Sequence, residues 1–232
     1  MPDIKLIVTS DGSHSLLNEA LNETYHSVHG AIQESLHVFI KNGLSYFLEK
    51  HSPAEVSIFE VGFGTGLNAL LTVQAMQSPN VALKYVSIEA FPIGEALWAG
   101  LNYTKTLGFE DTFAFLHRSP WEVVNKISGH IELLKLQTTL EKVQLKDGSF
   151  DLVFFDAFAP SKQPELWTID MLRKVVLAMK SGAVFVTYCA KGQLKRDLKE
   201  LGLNVETLSG PPGKKEMVRA VKVGESGITT FI

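Results

Sequence analysis

The chain has 232 residues, 45% of them hydrophobic, a formal net charge of −3 and a single cysteine. That composition suits one packed α/β domain, or one domain with a small addition, and excludes a disordered chain. The negative total excludes bulk electrostatic attachment to nucleic acid but permits a local basic face. Cys189 alone cannot close an internal disulfide, no apolar run would span a bilayer, and Met1 to Ser10 lack the basic-then-apolar order of a secretion signal. A reducing, cytoplasmic setting without a membrane partner is expected.

Residues 4–9 read as a short strand, and Thr9-Ser10-Asp11-Gly12-Ser13 as a turn. Residues 18–25 and 31–48 read as helix. In the second, Ile32, Leu36, Phe39, Ile40, Leu44 and Phe47 recur at spacings of three and four, which makes one apolar face. Pro53 ends this helical prelude. Residues 1–54 are therefore expected to cover the cleft of a unit spanning 55–232. Within the prelude, Glu23, Tyr25, His26 and His29 either face a substrate or hydrogen-bond locally.

The stretch Ser57-Ile58-Phe59-Glu60-Val61-Gly62-Phe63-Gly64-Thr65-Gly66-Leu67-Asn68 reads as a buried strand, a glycine turn and a helix start. Glycines let backbone approach a ligand closely, and a helix start presents free N–H groups. The spacing is G-x-G-x-G, not the G-x-G-x-x-G of dinucleotide folds. Glu60 precedes the first glycine by two residues and would repel a diphosphate. S-adenosylmethionine, cationic and without phosphate, fits better. Glu60, Gly62, Gly64, Gly66 and Asn68 are the expected cofactor contacts.

A β-α rhythm then predicts a parallel sheet with helices on both faces. Helix is expected over 66–77, closed by Ser78-Pro79-Asn80, and strand over 84–89. Glu89 lies roughly twenty residues past the glycines, where α/β sites place a carboxylate on ribose hydroxyls; a solvated strand-end acid is the alternative. Phe91 could flank an adenine. Residues 93–127 look mostly helical, including 119–124. After the strand at 130–136 comes Gln137-Thr138-Thr139, where Gln137 or Thr138 is a weak candidate for the adenine. The apolar run 151–156 reads as a central parallel strand, ending in Asp156 at the ligand-binding edge. Helix 168–180, strand 183–188, helix 192–201 and a hairpin of 203–208 with 216–223 complete the chain. Cys189 reads as a packed residue, not a nucleophile.

Three motifs carry a resemblance over nearly the whole chain: Glu60-Val61-Gly62-Phe63-Gly64-Thr65-Gly66-Leu67-Asn68, Asp156-Ala157-Phe158-Ala159-Pro160 with Lys162-Gln163-Pro164-Glu165-Leu166-Trp167, and Gly213-Lys214-Lys215-Glu216-Met217. They resemble the methyltransferase domain of the bifunctional tRNA 5-methylaminomethyl-2-thiouridine biosynthesis proteins (MnmC-like). The resemblance implies a Rossmann-like class I fold with a mostly parallel seven-stranded sheet and a C-terminal antiparallel hairpin. It also implies methyl transfer from S-adenosylmethionine to the aminomethyl group of a modified wobble uridine in tRNA. The bifunctional members carry a flavin-dependent oxidase as well. This chain ends at Ile232 without a second glycine fingerprint, so no flavin is expected, and a separate enzyme would supply the amine.

Methyl transfer needs a neutral amine, and a carboxylate in reach can orient it and take its proton. Asp156 is the candidate for that role, with capping of the next turn as the alternative. Phe158 and Pro160 would form an apolar wall against a flipped-out base. Tyr25 and Lys162 are further substrate candidates. Lys191, Lys195, Arg196, Lys199, Lys214, Lys215 and Arg219 cluster late in the chain, and Lys214 and Lys215 in particular could meet tRNA phosphates. No metal site is expected. A small-molecule amine methyltransferase and a non-catalytic cofactor- or RNA-binding scaffold are the competing readings.

Overall fold

A computed structural model describes residues 4–78 and 80–224. The chain opens with a three-stranded antiparallel sheet of β1 (Ile4–Val8), β2 (His14–Asn18) and β3 (Glu23–Thr24). This corrects the helix expected over 18–25. Asn18 accepts a hydrogen bond from the Leu21 amide at 3.1 Å, the contact that would also start a helix. The chain turns back instead, with Asn22 at φ 46°, and Tyr25 donates to the Leu16 carbonyl at 2.8 Å. Of the expected prelude the strand over 4–9 stands as β1, and of its two helices only the second stands. It runs as α1 (Ala31–Ser35), a π-helical stretch over Leu36–Ser45, and α2 (Tyr46–His51). Its apolar face buries Val38, Phe39, Leu44 and Phe47. A Cβ at Gly43 would lie 3.0 Å from Val186 and 3.2 Å from Phe154, so the glycine lets helix and sheet approach closely. Truncating Phe39 to alanine there would cost about 3–5 kcal/mol.

The main sheet follows. β4 (Glu55–Val61), α3 (Leu67–Ala75) and β5 (Ala82–Ile88) begin it; Pro79, expected in the turn after α3, lies outside the described residues. Three short helices come next, α4 (Glu95–Trp98), α5 (Tyr103–Leu107) and α6 (Glu110–Arg118). Then come β6 (Val124–Lys126), β7 (Ile131–Leu136) and β8 (Phe150–Phe155). A 3-10 turn at Pro164–Trp167, α7 (Ile169–Ala178), β9 (Met179–Thr187), α8 (Gly192–Glu200), β10 (Leu203–Ser209) and β11 (Glu216–Lys222) finish the fold.

The strands lie in the order β10-β11-β9-β8-β4-β5-β7-β6. β7, β5, β4, β8 and β9 are mutually parallel, while β11, β10 and β6 pair antiparallel to their neighbours. The sheet is thus mixed and mostly parallel, with eight strands where seven were expected. The extra one is β6, in the region read as helix. Pro120 and the β-branched Val123-Val124 oppose helix there. The buried Lys135 ammonium takes the Leu116 and His117 carbonyls at the end of α6 at 2.5 and 3.1 Å, which satisfies that helix terminus before Pro120.

Alternation along the central strands sends neighbouring side chains to opposite faces. Leu152 and Phe154 of β8 join the core beneath α1 to α3, and Val153 and Phe155 join the core beneath α7 and α8. Strand connections run one way from β4 to β5 and β7, and the other way from β8 to β9. The order reverses between β4 and β8, where open α/β sheets form a ligand crevice at the strands' carboxyl ends.

Candidate active site

The two loops at that reversal point meet directly. Asp156 N donates to the Val61 carbonyl at 3.0 Å, and Gly62 N and Phe63 N both donate to the Ile88 carbonyl. Gly62 has φ 95°, and a Cβ on it would stand 2.8 Å from the Asp156 carbonyl oxygen, so only glycine fits between the loops. Gly64 at φ 50° donates to Glu89 Oε2 at 3.0 Å, and Phe91 N donates to Glu89 Oε1 at 2.9 Å. The acid at the end of β5 therefore braces the glycine turn. Thr65 anchors that turn from below: Tyr103 donates to its hydroxyl at 3.2 Å, and His117 Nε2 donates to its carbonyl at 3.1 Å. Burial holds both His26 and His117 down at about 4 and so neutral.

Above this crevice opens a cavity of about 1060 Å³. Ordinary ligand pockets occupy about 300–1,000 Å³, so this one lies at the top of that range. Gly62, Gly64, Asn68, Glu89, Phe91 and Thr138 line it, as do Tyr25, Asp156, Phe158, Lys162 and Lys214. The structure thus brings together most of the residues expected from sequence. Four stand apart. Glu60, within β4, is 1% exposed and does not line the cavity. Gly66, at φ 73°, faces the helical layer, where a Cβ would meet His117 Nε2 at 3.0 Å. Pro160 and Lys215 line a shallow neighbouring hollow with Lys191, Tyr188 and Cys189.

Asp156 projects from the end of β8 and accepts a hydrogen bond from Asn68 Nδ2 at 2.8 Å. Burial pushes its carboxyl up to about 7, and the Glu34 charge pushes the same way against Asn68 and Lys214. The following loop is pinned along its length. Tyr188 Oη donates to the Ala157 carbonyl at 2.8 Å, Trp167 Nε1 donates to the Phe158 carbonyl at 2.8 Å, and Phe158 N donates to Gln163 Oε1 at 3.2 Å. Phe158 meets Tyr25 edge-to-face at 5.1 Å. These contacts are why Gln163 and Trp167 follow Asp156 at short range.

Among the lining residues not singled out from the sequence are Glu34, Glu141 and Tyr188. Glu34 is buried, accepts from Ser27 N at 2.9 Å and forms an ion pair with Lys214. Lys214 Nζ also lies 3.8 Å from the Tyr188 ring centroid. Lys214 therefore joins the loop between β10 and β11 to α1 instead of standing free for phosphate. Lys195 and Arg219 are likewise paired, with Glu216 and Glu206. The lining carries Glu23, Glu34, Glu89, Glu141, Asp156 and Glu165 against Lys162 and Lys214. That balance favours cationic ligands. Among the described residues no helix is long and apolar enough to cross a membrane, and no cluster of ligating side chains could hold a metal ion.

The glycine cradle, the acid at the end of β5 and the acid-rich cavity fit S-adenosylmethionine. Residues 122–223 match the family model for S-adenosyl-L-methionine-dependent methyltransferases. Fold and site together define that class: an S-adenosylmethionine-dependent methyltransferase domain. Within the class the likeness is MnmC-like. The chain is 31% identical over 247 residues to the tRNA 5-methylaminomethyl-2-thiouridine biosynthesis bifunctional protein MnmC of Burkholderia multivorans, covering 97% of this chain and 36% of that protein. It is 28% identical to the MnmC of Nitrosospira multiformis, covering 88% of this chain and 35% of that protein. The crystal structure of MNMC2 from Aquifex aeolicus superposes with a TM-score of 0.81 at 25% identity, over 95% of this chain and 70% of that one. The chain spans about a third of the length of the curated relatives it matches.

Proposed function

We propose that this domain transfers a methyl group from S-adenosylmethionine to the aminomethyl nitrogen on the wobble uridine of tRNA, with Asp156 as the residue that receives the amine. In this reading residues 1–54 cover the cleft of the methyltransferase unit formed by 55–232. Gly62, Gly64, Glu89, Phe91 and Thr138 hold the cofactor, and Tyr25, Phe158 and Lys162 meet the substrate. S-adenosylmethionine supplies an electrophilic methyl carbon on a sulfonium. The chain's own residues supply alignment and proton management.

An alkylammonium resembles lysine, with a pKa of about 10, and cannot attack while protonated. Asp156 attracts the ammonium, orients it by a charge-assisted hydrogen bond and takes its proton before the nitrogen bonds to carbon; the methylated product is again an ammonium, and the donor sulfur would leave as a neutral thioether as its bond to the methyl carbon breaks. An acid held near 7 is matched to that exchange at neutral pH. Glu34 and Glu23 add negative potential around the amine, while Tyr25 and Phe158 offer ring faces to a splayed base.

The observation that carries this reading is Asp156 at the strand-order reversal, bonded to Asn68 within an acid-lined cavity. Similarity to proteins named for 5-methylaminomethyl-2-thiouridine synthesis in tRNA supports the substrate. The test is incubation with methyl-labelled S-adenosylmethionine and tRNA bearing the unmethylated aminomethyl uridine, followed by nucleoside mass analysis. Label on the side-chain nitrogen of that uridine is the expected result. Label on no nucleoside, or on a different base, would overturn it.

A further inference from the structure

Thr65 is buried, lines the cavity and stands between two glycines, Gly64 at φ 50° and Gly66 at φ 73°. Glycine loses more freedom than any other residue when one conformation is imposed on it, so a turn of this kind has to be held from outside. The peptide joining Thr65 to Gly66 is held at both ends. Gly66 N donates to the Phe63 carbonyl at 2.8 Å, which closes a β-turn. The Thr65 carbonyl accepts from His117 Nε2 at 3.1 Å. His117 lies in the last turn of α6 and is itself fixed from several sides. Its ring stacks on Trp98 with centroids 4.9 Å apart, and it meets Phe113 and Phe63 edge-to-face at 4.8 and 5.5 Å. Its own carbonyl takes the Lys135 ammonium at 3.1 Å. A Cβ on Gly66 would lie 3.0 Å from His117 Nε2, so the third glycine of the motif makes room for the imidazole.

We propose that His117 is a positioning residue for S-adenosylmethionine: its ring N–H locks the Thr65–Gly66 peptide and so sets the shape of the glycine turn that the cofactor meets. The inference rests on the cofactor assignment and not on the identity of the methyl acceptor. Without that N–H the Thr65 carbonyl becomes a buried acceptor that has lost its partner, which is unfavourable. Glycine at 66 lets the peptide rotate, so the carbonyl turns towards the cavity to find water, and the turn no longer fits its ligand. Tyr103 cannot take over, because it holds the Thr65 hydroxyl and not the carbonyl. Burial keeps the His117 ring neutral, so only one of its nitrogens carries a proton. A carbonyl can only accept, which places that proton on Nε2. The turn would meet the cofactor alike before and during methyl transfer, so His117 should act on affinity and not on the chemical step.

The test compares His117→Gln, whose amide nitrogen can stand where Nε2 stands, with His117→Leu, which fills space without a donor. Calorimetry should show the S-adenosylmethionine dissociation constant rising at least about tenfold in His117→Leu and staying within about threefold in His117→Gln. With cofactor saturating, kcat of both should stay within about threefold of wild type. Nitrogen-15 NMR of the histidine rings gives a readout without any ligand. His117 should be the Nε2–H tautomer, and the Nδ1–H tautomer, which cannot donate to Thr65, would overturn the proposal. Equal affinity in wild type and His117→Leu would overturn it too, as would a fall in kcat without loss of affinity. His117→Gln binding as weakly as His117→Leu would assign the effect to ring packing instead of the donor, which also overturns it. Should His117→Leu not fold, His117→Asn takes its place: its amide is too short to reach Thr65, and the same loss of at least about tenfold is expected. Wild type that binds no S-adenosylmethionine would overturn the cofactor assignment and this inference together, whereas wild-type binding that His117→Leu retains in full overturns this inference alone.

Discussion

At the residue scale the decisive group is Asp156. Its carboxyl is raised to about 7 chiefly by burial, and the active form is the ionised one, so activity should rise as pH climbs through about 7. The kcat–pH profile of the wild type checks this. Asp156→Asn keeps the shape and the Asn68 contact but cannot take a proton. Its kcat should fall about 10²–10⁴-fold, with cofactor affinity within about twofold by calorimetry. Unchanged turnover would remove Asp156 from the chemistry. Glu60 carries a separate consequence for stability. An acid raised from 4.5 to about 8 on folding is bound to its proton more tightly in the native state. The native state then holds more protons than the unfolded chain between those values, so stability falls as pH rises through that window. Thermal melts should show Glu60→Gln gaining on wild type from pH 5 to pH 8. Asp156 and Glu89 were legible in the sequence because each ends an apolar strand, and strand ends face the crevice. Glu60 is buried in β4, where strand alternation fixes the face it lies on. It shares a face with Ile58, and that face packs beneath α1 to α3. Glu34 was not legible, since its partner Lys214 lies 180 residues away.

At the element scale the N-terminal segment and the loop between β10 and β11 close on each other. Glu34 pairs with Lys214, and His37 Nε2 donates to the Ser209 carbonyl at 2.8 Å. Gly213 takes φ 82°, and a Cβ there would lie 1.8 Å from His29 Cδ2. Gly213→Ala should therefore displace the loop or the His29 ring, at about 1–3 kcal/mol of strain. Steady-state kinetics should show a several-fold higher KM for tRNA with little change in the cofactor dissociation constant. An equal loss in both would mean that the loop braces the whole crevice and not the cover alone. The helix over 31–48 was legible from its apolar period. The strands β2 and β3 were not, because Asn18 makes a side-chain contact shared by helix starts and tight turns, and only pairing with β1 selects between them. β6 was missed for a similar reason: three residues carry too little pattern, and their partner β7 supplies the missing half.

At the scale of the whole molecule the charges separate by depth. The cavity is acidic, whereas Lys191 and Lys215 are exposed on the adjoining hollow with Pro160. A polyanion threaded through the cavity would meet Glu23, Glu34, Glu89 and Glu141, which like charge forbids. A single nucleoside side chain ending in an ammonium would be welcome there, while its flanking phosphates stay on the rim. The late basic cluster read from the sequence is thereby divided. Lys195, Lys214 and Arg219 form ion pairs within the fold, and Lys191 and Lys215 remain as the rim cations. Each phosphate contact contributes a slope of about −0.7 to −0.9 to the dependence of log affinity on log salt. Lys191→Ala and Lys215→Ala should each weaken tRNA binding and reduce that slope by about one, while kcat at saturating tRNA is unchanged. Filter binding from low to moderate salt would measure it. A slope indifferent to both substitutions would move the phosphate path elsewhere, and equal methylation of the free modified nucleoside would show that the rim contributes nothing to substrate choice.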